Sequence, residues 1–125
     1  MGLILKTGID IIEIDRVEKS IQRHGKRFLE RIFTPLEISD CQGRTESFAA
    51  RFAAKEAAAK AMGSGIGKIS WLDLEIQSNP ENQPELILHG SAQKKAKKLK
   101  LTGWSVSLSH DRNNAIAVVI ATGEN

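Results

Sequence analysis

The sequence is poor in the side chains that build cross-linked, membrane-spanning or base-stacking proteins. Its 125 residues include one cysteine and no tyrosine, and 5% of them are aromatic. One cysteine excludes an internal disulfide and a zinc site made of thiolates, so we expect Cys41 to be a reduced, partly buried side chain. No apolar run approaches the roughly 18 residues of a membrane span. The scarcity of aromatic rings also disfavours a surface on which nucleic acid bases stack.

The rest of the composition is typical of a globular protein outside the membrane. Hydrophobic residues make up 41% of the chain and charged residues 26%, and the formal net charge is +3. The length suits one modest domain, which we expect to span residues 1–125. Residues 1–6 lack the layout of a signal peptide, so we expect a cytoplasmic protein.

Changes in hydrophobic period divide the first third of the chain. The apolar stretch Leu3–Ile12 predicts a strand interrupted by Gly8 and Asp10. Helical spacing follows from Ile14 and breaks near Gly25. A strand followed by a broken helical region is therefore expected at the start of the fold.

The strongest predicted helix is Thr45–Met62, which is dense in alanine and ends at Gly63. Before it, Thr34–Glu37 has the pattern of a capping box, and after it the alternation in Trp71–Ser78 predicts a half-buried strand. The later predicted elements are a strand at Glu85–His89, a helix at Ser91–Leu99 and a hairpin of Trp104–His110 and Ala115–Ala121. Together they predict a small α+β domain with a long central helix packed on antiparallel strands.

Three side chains are candidates for chemistry. Asp10 lies within an apolar run, where an ionised carboxylate needs a partner such as a metal ion or an arginine, or else caps the helix that begins near Ile14. Glu56 and Lys60 share a helix face, which is consistent with a surface ion pair or with a site for a metal and a phosphate. Two carboxylates, Asp10 and Glu56, suit Mg²⁺, which keeps waters for a phosphate substrate.

Two other features give weaker signals. His110 ends a predicted strand on its apolar face, where a histidine is more often structural, but it also lies at the mouth of a hairpin. The glycine-rich turn Gly63–Lys68 follows a helix rather than preceding one, so it lacks the helix N-terminus that binds phosphate. It is better explained as a helix stop with a flexible exit.

Two basic stripes account for the positive charge. Arg16, Lys19, Arg23 and Arg27 recur at three- and four-residue steps, and this face could dock an acidic protein helix. A lysine cluster occupies the late helix, and we interpret it as a solvated face. Its members are Lys94, Lys95, Lys97, Lys98 and Lys100.

Taken in order, the motifs resemble those of the holo-acyl-carrier-protein synthases, a group of 4′-phosphopantetheinyl transferases. Gly8–Ile11, with the sequence GIDI, resembles their first motif, and Arg51–Ala57 with Lys60 resembles the second. Ser107–His110 and the chain length also fit. The resemblance spans the whole chain in the family's order and spacing.

This resemblance implies a Mg²⁺-dependent transfer of 4′-phosphopantetheine from coenzyme A to a serine of an apo acyl carrier protein. The products would be the holo carrier, which serves fatty acid biosynthesis, and 3′,5′-ADP. Asp10 and Glu56 would hold the ion, and Lys60 would lie against the phosphates of coenzyme A. These three residues would form the catalytic group.

The resemblance also implies where the rest of the substrates bind. Arg51 and His110 would contact the nucleotide end of coenzyme A, including its 3′-phosphate, and the turn containing Gly65 would line the same site. The arginines Arg16, Arg23 and Arg27 would dock the acidic carrier protein. The family implies a homotrimer with active sites between subunits, and neither nucleic acid nor membrane is an expected partner.

Two other functions stay open from the residues alone. One is a non-catalytic module whose basic faces bind an acidic protein or nucleic acid, which the lysine cluster slightly favours. The other is a magnesium-dependent enzyme that acts on a different nucleotide. Stabilisation by coenzyme A together with Mg²⁺ would distinguish an enzyme of the proposed kind from the binding module.

Overall fold

The computed structural model describes residues 2–125, and within them strands and helices are mixed as expected. A short 3₁₀ helix, Trp71–Asp73, precedes the second strand. The elements in chain order are β1 (Leu3–Glu13), α1 (Ile14–His24), α2 (Lys26–Ile32), α3 (Pro35–Cys41), α4 (Thr45–Ala61), β2 (Leu74–Ser78), β3 (Pro84–Leu88), α5 (Gly90–Lys98), β4 (Leu101–His110) and β5 (Asn114–Glu124).

The main sheet has three antiparallel strands in the order β1-β5-β4, and β2 and β3 form a separate antiparallel pair. On the inner face of β5 the side chains are small and buried, because α4 lies directly against them; they are Ala115, Ala117, Val119 and Ala121. The predicted α+β architecture with a long central helix on an antiparallel sheet is confirmed. Among residues 2–125, no helix combines the length and apolar character needed to cross a bilayer.

A close approach between β1 and α4 fixes the distance between strand and helix. A Cβ atom added at Gly8 would lie 1.9 Å from the carbonyl oxygen of Ala57 and 2.9 Å from the backbone nitrogen of Ala61. Only glycine allows a strand backbone to come this near to a helix backbone. The contact brings the next inward-facing residue of β1, Asp10, beside the helix.

Helix α4 is buried around most of its circumference. Its alanines face the main sheet on one side and the α2–α3 region and β2 on the other, so apolar residues are not confined to one stripe. The predicted helix is confirmed with its end at Ala61, followed by Gly63 at a φ of 70°. The buried polar side chains of the helix are Arg51 and Lys55.

Three local predictions were wrong or incomplete. β1 runs without a break through Gly8 and Asp10, because pairing with β5 continues along its whole length. The predicted strand Trp71–Ser78 begins three residues late, since Trp71–Asp73 forms a 3₁₀ turn that carries the chain from the glycine-rich segment into β2. Cys41 is fully buried rather than partly buried.

The alternation predicted for β2 also fails at one position. Glu75 was expected on the solvent face, yet it is buried. Its carboxylate accepts hydrogen bonds from Thr34 Oγ1 at 2.6 Å, Gln77 Nε2 at 2.9 Å and His89 Nε2 at 3.1 Å. These donors replace water, which explains how a carboxylate is tolerated there.

The outer face of the main sheet is apolar and uncovered. β1 and β5 expose large hydrophobic side chains on it: Leu3, Leu5, Ile9, Ile11 and Ile120. Leu3, Leu5 and Ile11 are 74%, 63% and 62% exposed. A contiguous apolar face of this kind on a globular protein commonly marks an interaction surface.

Candidate active site

Asp10, Glu56 and Lys60 come together where β1 crosses α4. Lys60 Nζ lies 3.0 Å from Asp10 Oδ1 and also donates to the carbonyl oxygen of Ile9 at 2.9 Å. The side chain of Asp10 is 18% exposed and that of Lys60 is 54% exposed, so the group opens to solvent on one side. The strand supplies the aspartate, and successive turns of the helix supply the glutamate and the lysine.

The electrostatics of Glu56 link it to both neighbours. Burial raises the pKa of the Glu56 carboxyl, the negative charge of Asp10 raises it further, and the ammonium of Lys60 lowers it. Two carboxylates close enough to disfavour each other's charge are a site that a cation would stabilise. Among residues 2–125 there is no group of three or more histidine, cysteine or acidic side chains arranged for a metal. A two-carboxylate site is therefore the pattern present, and Mg²⁺ accepts it because it retains several waters.

The contacts decide between the alternatives that the sequence left open. Asp10 does not cap α1, since the N-cap of that helix is Glu13 and no side chain caps it. The partner of Asp10 is Lys60, rather than an arginine. Within the described chain Lys60 forms its ion pair with Asp10 and not with Glu56, so the predicted surface pair along the helix is absent.

A second feature is a cleft of about 1060 Å³ between the N-terminal half of α4, the β2–β3 pair and β4, which we call the α4–β4 cleft. Arg51 and His110 both line it, together with backbone and side chains of the β2–β3 turn. Its other charged lining residues are Arg44, Asp40 and Glu85. The cleft thus combines three basic and two acidic side chains with a polar wall.

Arg51 is held in this cleft with part of its hydrogen-bonding capacity unused. The residue is 8% exposed, and its Nη2 donates to Ser78 Oγ at 3.3 Å. Its buried Nε has no hydrogen-bond partner. A buried guanidinium nitrogen without an acceptor is costly in a folded protein, and an anionic ligand such as a phosphate would satisfy it.

The cleft and the carboxylate group lie on opposite sides of α4. Arg51 and Lys60 are nine residues apart, which corresponds to about 13.5 Å along the helix and roughly half a turn around it. Neither Asp10, Glu56 nor Lys60 lines the cleft. The predicted site residues are therefore divided between two faces of one buried helix.

The remaining predicted residues are exposed. Gly65 lies in the segment after α4, where a Cβ atom would meet nothing within 4 Å. Arg16, Arg23 and Arg27 are exposed on α1 and α2, and among the described residues none of them forms an ion pair. These arginines stay available to a partner.

The sequence missed two elements of the site. Arg44 was assigned no role, yet it lines the α4–β4 cleft at the start of α4. Lys55 lies next to Glu56 and forms a fully buried ion pair with Glu37. A basic residue before a helix and a lysine within it are common patterns, so neither carried a signal without the tertiary contacts.

Comparison with known proteins gives a consistent result. The family model described as the 4′-phosphopantetheinyl transferase superfamily matches residues 6–119. The holo-[acyl-carrier-protein] synthase of Herpetosiphon aurantiacus is 45% identical and covers 96% of this chain and 100% of its own. That of Dehalococcoides mccartyi (strain 195) is 50% identical, with 94% and 98% covered.

Solved structures agree in fold. The crystal structure of the Helicobacter pylori holo-[acyl-carrier-protein] synthase in complex with coenzyme A has a TM-score of 0.85 at 41% identity, covering 92% of this chain and 98% of that one. The Bacillus anthracis synthase, crystallised with coenzyme A (3′,5′-ADP), has a TM-score of 0.80 at 36% identity, with 98% and 100% covered.

Proposed function

This chain belongs to the 4′-phosphopantetheinyl transferase superfamily, and on that premise we propose that it is a holo-acyl-carrier-protein synthase. It transfers the 4′-phosphopantetheine group of coenzyme A to a serine of an apo acyl carrier protein and releases 3′,5′-ADP. The observation that carries the proposal is the full-length similarity to synthases, two of which were crystallised with coenzyme A or its nucleotide. The site geometry adds a cleft whose basic side chains could bind phosphate and a pair of carboxylates that could bind a cation.

We assign the nucleotide end of coenzyme A to the α4–β4 cleft. Arg51 offers a buried Nε without an acceptor, and His110 lies in the same cleft. Planar guanidinium groups bind phosphate through paired hydrogen bonds. Arg44 adds a third basic side chain there and could contact the same phosphate.

We assign Mg²⁺ to the carboxylates of Asp10 and Glu56. The mutual repulsion of these carboxylates is the observation that fits a cation. When bound, Mg²⁺ would neutralise charge that develops on the pyrophosphate. Lys60 is fixed beside the same point by Asp10 and the Ile9 carbonyl, so it supplies a positioned positive charge for a phosphate oxygen.

The reaction itself is a phosphoryl transfer in which the protein mainly positions and neutralises charge. The serine oxygen of the carrier forms a bond to the phosphorus that bears the pantetheine arm. The bond from that phosphorus to the oxygen of 3′,5′-ADP breaks, and the electron pair leaves with the nucleotide. The serine proton passes to Glu56 through an intervening water.

The division of the site between two faces of α4 supports an assembly in which two copies complete each site. One copy would present the α4–β4 cleft, and its neighbour would present Asp10, Glu56 and Lys60. The uncovered apolar face of the main sheet provides a surface for such contacts. We propose that this assembly is the homotrimer that the family resemblance implies.

We propose that the exposed arginines Arg16, Arg23 and Arg27 dock the acidic carrier. Opposite charges would steer the encounter and make the affinity sensitive to salt. The double variant Arg16→Glu/Arg23→Glu should raise the KM for the carrier at least about tenfold and leave the Kd for coenzyme A unchanged. The matched control is Lys94→Glu/Lys97→Glu, which makes the same charge change on α5. An unchanged KM in the arginine variant would show that the stripe is only solvated.

The decisive experiment measures the mass of the carrier. The protein is incubated with apo carrier, coenzyme A and Mg²⁺, and the expected product carries the mass of one phosphopantetheine arm. Chelation of the metal should stop the reaction, and Glu56→Gln should reduce turnover at least about 100-fold. Glu46→Gln, on the same helix outside the site, is the matched control.

Thermal stability provides an independent test. Coenzyme A with Mg²⁺ should raise the Tm of the wild type, and the increase due to Mg²⁺ should vanish in Glu56→Gln. Stabilisation by nucleic acid instead, with no change in carrier mass, would support the binding module. The use of coenzyme A is consistent with the expected cytoplasmic location and a role in fatty acid biosynthesis.

A further inference from the structure

The most completely buried polar contact of the protein joins α3 to α4. Lys55 Nζ lies 2.8 Å from Glu37 Oε1, and both side chains have 0% exposure. The same ammonium donates to the carbonyl oxygen of Trp71 at 3.0 Å. Glu37 Oε2 accepts from the backbone nitrogen of Ile76 at 2.9 Å, and Oε1 accepts from that of Thr34 at 2.9 Å. One ion pair thus ties α4 to α3, to the 3₁₀ turn and to β2.

Stability alone does not explain this pair. Burying two charges removes them from water, and apolar side chains of similar volume often stabilise a protein as well or better. A buried pair does select one arrangement of its elements, because any other arrangement leaves a charge without its partner. For α4, the arrangement that such a pair can select is its rotation about its own axis.

Packing by itself specifies the rotation of α4 poorly. The helix is lined with alanine on nearly all sides, and its apolar residues do not form one stripe. Alanine side chains make fewer contacts than larger ones, so alanine packing resists a rotation of the helix less than large interlocking side chains would. The contact at Gly8 fixes how near the helix lies to β1, but it involves the helix backbone rather than a directional side chain.

Lys55 is placed to connect both halves of the site. It follows Arg51 by four residues, so the two lie on nearly the same helix face, and it precedes Glu56, which points about 100° away. A rotation of α4 would move Arg51 relative to the α4–β4 cleft and Glu56 relative to Asp10 at the same time. The aromatic contact of Phe52 with Trp71, at 4.8 Å between ring centres, lies on the same junction.

We propose that Glu37 and Lys55 are positioning residues whose buried ion pair fixes the rotation of α4 about its axis. This rotation sets where the Arg51 guanidinium points to bind a phosphate and where the Glu56 carboxylate points to bind a cation. The proposal rests on the proposed function for the identity of the two ligands. It does not rest on that function for the geometry, which can be tested on the protein alone.

The direct test is the crystal structure of the double variant Lys55→Met/Glu37→Gln, which removes both charges while keeping similar volumes. We expect α4 to turn relative to β1, so that the Glu56 carboxyl moves away from Asp10 by at least about 1 Å. Superposition of α4 and its side chains on those of the wild type would overturn the proposal. This outcome does not depend on whether the protein is a synthase.

Ligand binding provides the second test. We expect the Kd for coenzyme A, measured by calorimetry, and the Mg²⁺ concentration that half-saturates the Tm increase both to rise at least about tenfold. A merely structural role would lower the Tm and leave both constants within twofold, which would overturn the proposal. Arg51→Ala should weaken coenzyme A only, and Glu56→Asp should weaken Mg²⁺ only. Wild type that binds neither ligand would refute the proposed function while leaving the crystallographic test valid.

A conservative variant covers the case in which the double variant does not fold. Glu37→Asp keeps the charge pair but shortens one side chain by a methylene group, so it should fold and raise both constants in parallel by a smaller factor, about threefold. Both constants within experimental error of wild type would overturn the proposal. The matched control is Lys26→Met/Glu30→Gln, which removes an exposed pair on α2 and should change neither constant.

Discussion

The contact between Gly8 and α4 predicts that the smallest possible side chain at this position damages both stability and the site. In Gly8→Ala the new methyl carbon would lie 1.9 Å from the Ala57 carbonyl oxygen. An ordinary carbon–oxygen contact is about 3.4 Å, so strand and helix must separate by about 1.5 Å. The three atoms nearest to the new methyl carbon are the Ala57 carbonyl oxygen, the Ala57 carbonyl carbon and the Ala61 nitrogen. All three belong to the backbone of α4, so the clash cannot be relieved by moving the end of a flexible side chain.

Overpacking of a well-packed core typically destabilises by about 1–3 kcal/mol. We expect Gly8→Ala to lie at the upper end, near 3 kcal/mol, because the backbones of two elements must move. For a chain of 125 residues this corresponds to a decrease in Tm of roughly 10 °C. Thermal denaturation followed by circular dichroism measures it directly.

The same displacement carries a functional consequence. Asp10 is on the strand that must move, whereas Glu56 and Lys60 are on the helix. A misplacement of about 1 Å can cost on the order of 100-fold in rate, so we expect a loss of at least this size in the carrier-mass assay below the Tm of the variant. Gly2→Ala is the control, since a Cβ there would make an ordinary 3.8 Å contact. A Gly8→Ala protein with the Tm and activity of wild type would refute the reasoning.

Three further predictions follow from other contacts. Burial raises the pKa of the Cys41 thiol from 9.0 to about 11. Because the thiol of the unfolded chain ionises at lower pH, the free energy of unfolding should fall by up to about 2.7 kcal/mol between these pH values. Urea titrations of Cys41→Ala should lack this loss. Thr34→Val removes the hydroxyl that accepts from the Glu37 backbone nitrogen at the start of α3 and donates to the Glu75 carboxylate. Urea unfolding should show a free energy of unfolding lower by about 2 kcal/mol; an unchanged midpoint would contradict this prediction. Leu5→Asp places a charge on the uncovered sheet face, and sedimentation should show smaller assemblies; an unaltered mass would remove this face from the interface.

Acid titration adds a check on Glu75. Burial raises its pKa, but hydrogen bonds from Thr34, Gln77 and His89 lower it more, so the net shift is downward from 4.5. A carboxyl with a depressed folded pKa stabilises the protein above its unfolded pKa, and this contribution is lost as the pH falls through the folded pKa. In Thr34→Val the acid-induced loss should therefore be smaller than in wild type; an identical acid profile would show that the hydrogen bond does not matter.

Features that depend on neighbours along one element could be predicted from local sequence. Alanine content and Gly63 predicted α4, the spacing around Thr34 and Glu37 predicted a capping box that the structure contains, and the motif order predicted the family. Helix caps and helix faces involve residues at most four positions apart, so local spacing is sufficient. The roles assigned to the individual site residues stay predictions.

Contacts between residues far apart in the chain became known from the folded structure alone. Spacing suggested that Lys60 pairs with Glu56, but the lysine reaches Asp10, fifty residues away, because Gly8 lets β1 touch the helix. The ion pair between Glu37 and Lys55 gave no signal, and Arg51 and Glu56 were expected in one site although they face opposite ways. These contacts depend on strand register, helix rotation and the distance between backbones, which the packing of the whole chain sets and no local pattern encodes.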